Sequence, residues 1–382
     1  MSRSRNFRRA LLMFAVMLAA CAPQLAATDQ PGSGAKVTGS GFACPEPQPR
    51  LEVTSKELNL FVWTEYIPQD IIDCFQLVYG ITVNREEFSS NEEMYAKLAA
   101  GGSNYDLTQP SDYIISVMVR AEMLQKLDKG RLPNLGNVEP QYLKVPGDPK
   151  GEYVVPYQAG TQSIVYDSDK VKEPPTSWAD LWQPEFAGRM VFVDDMRGVI
   201  AIPLLLEGKD VNTKSEADLE AIKPRLQELV NNIKIFDSDS PKTSLIAGDA
   251  DLGFVWNAEA ELAFREKSSI RYAFPKEGAI LWQDGYVVLE NAPHLDAAYA
   301  WLNYSLQGDV FWLMLRDFPY TMPNRAALEY ARANQPELYK AYVESPITNT
   351  PPEEWAKGHR TEDVGEATVL YDRLWTEVKS GK

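Results

Sequence analysis

Short apolar runs alternate with helically spaced ones along this chain, and that rhythm limits the folds open to it. Residues 58–62, Leu-Asn-Leu-Phe-Val, read as a buried strand. Residues 67–79 follow with Ile71, Ile72, Phe75 and Val78 at helical spacing, and Gly80 supplies a stop. Residues 81–83 begin a second strand. Ser90, with Glu93 three positions on, opens another helix that carries Met94, Leu98 and Ala99. Asp106-Leu107 is a short strand running into Pro110-Ser111-Asp112-Tyr113. The middle repeats the pattern: strands at 164–166, 190–193 and 252–256, a helix over 217–232, an apolar strand-like run over 279–289 and a helix over 295–306. The last third reads as mainly helical, ending in a helix over 364–378. Strands alternating with helices predict an α/β chain on a mostly parallel sheet.

The front end fixes the compartment. Arg3, Arg5, Arg8 and Arg9 precede an apolar run over 10–20, which is shorter than the roughly 20 residues that span a bilayer. This is the pattern of an export signal, residues 1–20. The run ends Leu18-Ala19-Ala20-Cys21, small residues before a cysteine, as in a bacterial lipobox. Cys21 would then be acylated and become the new N-terminus. An ordinary signal peptide with an incidental cysteine is the competing reading. Residues 21–50, rich in Ala, Gly, Ser, Thr, Pro and Gln, read as a flexible tether between anchor and domain. The two other cysteines, Cys44 and Cys74, are expected to pair outside the cytoplasm and staple the end of that tether to the domain. Two unrelated thiols are the alternative.

Residues 51–382 are enough for two domains. The formal charge is −16, and the leader carries four Arg and no acid, so its removal makes the chain more acidic still. Such a chain repels nucleic acid and favours cations. The 9 Trp, 18 Tyr and 14 Phe supply flat walls for an organic cation. The two histidines, His294 and His359, show no metal-ligand spacing, and neither a dinucleotide or phosphate loop nor a nucleophile elbow is present. No cofactor, metal site or catalytic centre is therefore expected.

What remains is a set of acids and aromatics at strand ends, where open α/β sheets bind ligands. They are Trp63-Thr64-Glu65-Tyr66, Ser111-Asp112-Tyr113, Asp194-Asp195, Trp256-Asn257 and, inside the late apolar run, Trp282-Gln283-Asp284. Any one alone is more often core, cap or turn; their recurrence at one topological position is the signal.

At these residues the chain resembles the bacterial spermidine/putrescine-binding proteins of polyamine ABC importers. The matches are Phe61-Val62-Trp63-Thr64-Glu65-Tyr66, Ser90-Asn91-Glu92-Glu93-Met94-Tyr95-Ala96-Lys97-Leu98, Thr176-Ser177-Trp178-Ala179-Asp180-Leu181-Trp182, Gly253-Phe254-Val255-Trp256-Asn257, Pro275-Lys276-Glu277-Gly278 and Asp363-Val364-Gly365. They run in family order over the chain beyond the tether. The resemblance implies a two-lobed periplasmic-binding-protein-like fold of type II, with the ligand clamped between lobes joined by crossing strands. The lobes are expected at 51–160 plus 283–329 and at 161–282 plus 330–382. It implies a binding protein rather than an enzyme, a monomer that takes a polyamine and works with the membrane permease subunits of an ABC transporter.

The family's ligand contacts fall on Trp63, Thr64, Glu65, Tyr66, Ser111, Tyr113, Asp195, Trp256, Trp282, Asp284 and Tyr320. The chemistry suits a polyamine: Glu65, Asp195 and Asp284 would take the ammonium groups, and Trp63, Trp256, Trp282 and Tyr320 the methylenes. The family's spermidine binders carry a glutamate and a glutamine where this chain has Gly198 and Thr361, which favours a diamine or a shifted register. The rival readings are a receptor for another organic cation or a peptide, a sensor subunit that presents its ligand to a membrane receptor, and a hydrolase using Glu65 and Asp195.

Overall fold

The computed structural model describes residues 36–101 and 104–381. The export signal, Cys21 and the first part of the predicted tether lie outside the described residues.

The chain opens β1 (Glu57–Trp63), α1 (Gln69–Tyr79), β2 (Thr82–Phe88), α2 (Asn91–Ala99), β3 (Leu107–Thr108), α3 (Asp112–Arg120) and the long β4 (Val154–Asp167). It continues with β5 (Met190–Phe192), α4 (Met196–Leu206), α5 (Glu216–Asn232), β6 (Ile233–Phe236), α6 (Lys242–Ala247), β7 (Leu252–Trp256), α7 (Asn257–Glu266), β8 (Ile270–Ala273), β9 (Ile280–Val288), α8 (Leu295–Ser305) and β10 (His359–Arg360). Further helices fill 308–357, and Thr368–Lys379 forms the last. Local signals set most boundaries. Gly80 sits at φ 68° and its N–H caps α1 on Gln76. The Ser90 hydroxyl takes the Glu93 N–H at the start of α2.

The strands join in the order β2-β1-β3-β9-β4-β7-β5-β6, with β10 on β9 and β8 on β4. Pairing is parallel on the flanks, β1 with β2 and β3, and β5 with β6 and β7. At the centre it is antiparallel: β4 pairs with β9, β7 and β8, and β9 with β3. The sheet is therefore mixed rather than mostly parallel, because the two central strands run against each other from one half of the molecule to the other.

That crossing explains the two lobes. Leu60, Phe75, Tyr157, Tyr286, Trp301 and Tyr342 belong to one core. Ile164, Trp178, Phe192, Ile200, Phe254 and Tyr371 belong to another. Strand β4 gives Val155 and Tyr157 to the first and Ile164 and Val165 to the second; β9 gives Tyr286 to the first and Ile280 to the second. Alternation along β1 sends Leu60 and Val62 into the first core and Phe61 to a smaller cluster with Phe88, Ile115 and Val287 on the opposite face of the sheet. Ala327, Ala331 and Tyr342 also pack into the first core, and Ile347 into the second.

Residues 36–50 are held to the first lobe. Cys44 and Cys74 are joined by a disulfide, Thr38 and Ser40 donate to buried Asp70, Arg50 donates to the Val78 carbonyl, and the Gln48 N–H meets Gln307. Composition alone assigns this stretch to the tether; specific polar contacts and one covalent link tie it down instead. Among the described residues no helix is long and apolar enough to cross a membrane.

Candidate ligand-binding cleft

The crossing strands form the floor of a cleft between the two cores. Gln162 of β4 and Ile280, Leu281, Trp282 and Asp284 of β9 line it. Gly160 makes the floor possible: a Cβ there would stand 2.2 Å from the Asn257 amide oxygen and 2.6 Å from the Trp282 ring, so only glycine leaves room for both side chains. All eleven residues that the family resemblance implies line this one cleft. They arrive from both lobes: Trp63 ends β1 and Thr64 to Tyr66 follow it, Ser111 and Tyr113 lie at the start of α3, Asp195 caps α4, and Trp256 ends β7.

The aromatic side chains form connected walls. Trp63, anchored by its indole N–H on the Gln109 carbonyl at 2.8 Å, faces Trp256 of the other lobe with ring centres 6.4 Å apart. Trp282 meets Tyr320 edge-on at 5.1 Å, and Tyr320 meets Tyr66 at 5.5 Å.

The charges are one-sided. The lining includes seven carboxylates, those of Glu65, Glu92, Asp194, Asp195, Asp239, Glu259 and Asp284, and no Lys or Arg. Asp284 is 5% exposed. Its Oδ2 accepts from the Tyr66 hydroxyl at 2.9 Å, and the Ser111 hydroxyl is a second donor close to the carboxylate. Burial, with the nearby charges of Asp112 and Asp195, pushes its carboxyl up to about 7. Asp195 is doubly committed: the Gly198 N–H reaches Oδ1 at 3.1 Å as a helix cap, and the Gln162 amide reaches Oδ2 at 2.6 Å. Glu65 sits at φ 48°, a left-handed backbone that non-glycine residues hold only where the surroundings enforce it. Its carboxylate receives the Lys242 ammonium at 2.6 Å. With Glu65 and Asp195 tied in these ways, the carboxylate-pair hydrolase lacks its free pair.

The sequence reasoning missed several lining residues. Glu92 stays open to solvent but has protein close on most sides; that desolvation, then the charge of Asp195, pushes its carboxyl up, and the Tyr113 hydroxyl donates to it at 2.9 Å. Its position beside the helix cap of α2 is the signal that could have found it. Glu259 is 3% exposed and lies in the first turn of α7, right after the Trp256-Asn257 match. Asp239, between β6 and α6, also lines the cleft.

Other matched segments serve the fold. In Thr176–Trp182 the Trp178 indole is fully buried and donates to the Gly278 carbonyl, while Ser177 donates to Glu277. The Pro275–Gly278 match therefore buttresses the other. Asp363 binds Ser116 and Arg120 of α3 and so links the lobes. At Gly198 a Cβ would fall 2.6 Å from the Gln162 amide oxygen and 3.0 Å from Asp195, so a larger side chain there has to displace Gln162 from Asp195. Thr361 lines the cleft.

Comparison with known proteins identifies relatives of the same build. The family model for bacterial extracellular solute-binding proteins matches residues 70–346. The spermidine/putrescine-binding periplasmic protein of Salmonella typhimurium is 35% identical over 330 residues, 85% of this chain and 92% of that protein. Among solved structures, a spermidine/putrescine ABC transporter substrate-binding protein of Streptococcus pneumoniae is 30% identical, with a TM-score of 0.70 over 85% of this chain and 99% of that one. A lipoprotein of Treponema pallidum is 27% identical, with a TM-score of 0.73 over 85% and 99%.

Proposed function

The chain belongs to the bacterial extracellular solute-binding protein family, and from that premise we propose that it captures a polyamine, putrescine or spermidine, for an ABC importer. The observation that supports this most is the cleft itself: seven lining carboxylates, of which Glu92, Asp195, Asp239 and Asp284 have no basic partner among the described residues, set between indole and phenol walls. A polyamine is an apolar chain with ammonium groups at fixed intervals. The rings take its methylenes and the carboxylates its charges. Asp284 is the best placed of these acids, because a cation beside it would be desolvated between carboxylate and the Trp282 ring and would offset the cost of burying that charge.

The protein is a binding component and not an enzyme. Its ligand is held by the eleven residues that converge on the cleft, and two lobes joined by two crossing strands permit hinge closure around it. Export through the leader and acylation at Cys21 would keep the monomer at a membrane beside the permease subunits. The Cys44–Cys74 disulfide suits an oxidising compartment, and one of the structural relatives is itself a lipoprotein.

Calorimetry of the mature protein tests the reading. Putrescine, cadaverine, spermidine and spermine are titrated beside choline, lysine and a neutral dipeptide. One-to-one binding confined to polyamines is expected. Tight binding of choline or a dipeptide, with none of the polyamines, would replace the polyamine by another ligand.

A further inference from the structure

Resting on the polyamine reading, we propose that Lys242 is a built-in ammonium that fills one cation position of the cleft and so restricts the charge and length of the ligand. Lys242 opens α6, directly after Pro241. Its Nζ lies 2.6 Å from Glu65 and 3.2 and 3.1 Å from the two oxygens of Glu259. Both glutamates line the cleft. Glu259 is almost fully buried, the Lys242 side chain is 18% exposed and that of Glu65 47%, so the cluster is buried at Glu259 and opens to solvent in the cleft at Glu65.

The chemistry of the group matters. A lysine side chain is a primary ammonium on four methylenes, the same unit that ends a putrescine molecule. The chain thus presents to Glu65 and Glu259 what a ligand would otherwise bring. Two carboxylates and one ammonium leave a single negative charge, already hydrogen-bonded, and a ligand ammonium gains little there without displacing Lys242. Asp195, Asp239, Asp284 and Glu92 differ: among the described residues none has a basic side chain within salt-bridge reach. A ligand's charges therefore fall on that second group. A diamine is satisfied there, whereas a triamine has to place its third ammonium without Glu65.

The cluster also joins lobes, since Glu65 follows β1 and the other two side chains belong to the second lobe. Losing that tie would weaken all ligands alike. The ratio of spermidine to putrescine affinity separates selectivity from closure.

The test measures both affinities by calorimetry for the parent, Lys242→Gln, Lys242→Met and Lys242→Gln with Glu65→Gln. Lys242→Gln keeps the length and loses the charge, and the ratio should rise about tenfold toward spermidine as Glu65 becomes available to a third ammonium. Lys242→Met, which fills the same space without a donor, should give the same rise. Adding Glu65→Gln should cancel it. An unchanged ratio in both single variants, with putrescine still bound, overturns the role of Lys242 and leaves the polyamine reading intact. A parent that binds no polyamine overturns both.

Discussion

Two acidic groups share the cleft and are balanced in different ways. Glu65 and Glu259 come from different lobes and hold Lys242 between them. Burial pushes the Glu259 carboxyl up against the pull of Lys242, and the same two glutamates hold Lys242 above its ordinary value although burial works the other way. Asp284 has no cation of its own. It has only the neutral hydroxyls of Tyr66 and Ser111 beside it, and its carboxyl is pushed up to about 7. Tyr320 stands in the field of both groups; burial and then the charges of Glu259, Asp284 and Glu65 push its phenol up. A buried carboxylate that the chain has already matched is structural in character. One left unmatched beside an indole is stable only when a cation arrives from outside.

The largest effect should come from removing the unmatched charge. Asp284→Asn keeps the shape, and loss of one buried charge-assisted pair costs roughly 2–5 kcal/mol, or about 30-fold or more in polyamine affinity. Free of ligand, the same variant should be the more stable protein. The unfolded carboxyl ionises near the ordinary 3.8 and the folded one near 7. The folded state therefore holds the extra proton between these values, and stability falls as pH rises through that window. The gain from Asp284→Asn should be on the order of 2–4 kcal/mol at pH 8 and vanish by pH 3. Thermal melts at the two pH values check it; a variant less stable than the parent at pH 8 would mean that Asp284 is already balanced.

Proton linkage sharpens the comparison next. A ligand ammonium favours the ionised carboxylate, so polyamine affinity should fall about tenfold per pH unit below 7 and level off above it. The dependence should disappear in Asp284→Asn. If it persists in that variant, the titrating group lies elsewhere, with Glu92 the first candidate.

Much of this contrast was hidden in the sequence. The acids and rings at the ends of β1, β5 and β7 stand next to strand signals, and all eleven anticipated residues meet in one cleft. Lys242 gave no such sign, because a lysine after a proline looks like any turn residue. Its partner Glu65 lies 177 positions away, and no local pattern encodes a contact across lobes. Glu92 gave no sign of its own either, because its partner Tyr113 lies 21 positions away. Strand β4 was legible only at 164–166. Gln158, Thr161, Gln162 and Ser163 break its apolar pattern, and they are tolerated in a buried strand because both its edges are paired and several of these side chains find partners. The stretch 36–50 looked like a tether because composition does not report a disulfide or the polar contacts around Asp70.

The walls carry a smaller share. Trp256→Ala removes one partly exposed ring and should weaken polyamines by about 0.5–2 kcal/mol, with putrescine and spermidine affected alike. Unequal losses would mean that Trp256 reads ligand length. The smallest effect belongs to Asp239→Asn, since that side chain lines the cleft but is exposed. A change of about twofold or less is expected, as for an exposed charge pair in water.

The most direct test is a parallel calorimetric titration at pH 8 of the parent and Asp284→Asn with putrescine and spermidine. The account predicts one-to-one binding by the parent, a loss of about 30-fold or more in the variant for both ligands, and unchanged folding by circular dichroism. A variant that binds either polyamine as tightly as the parent would contradict it.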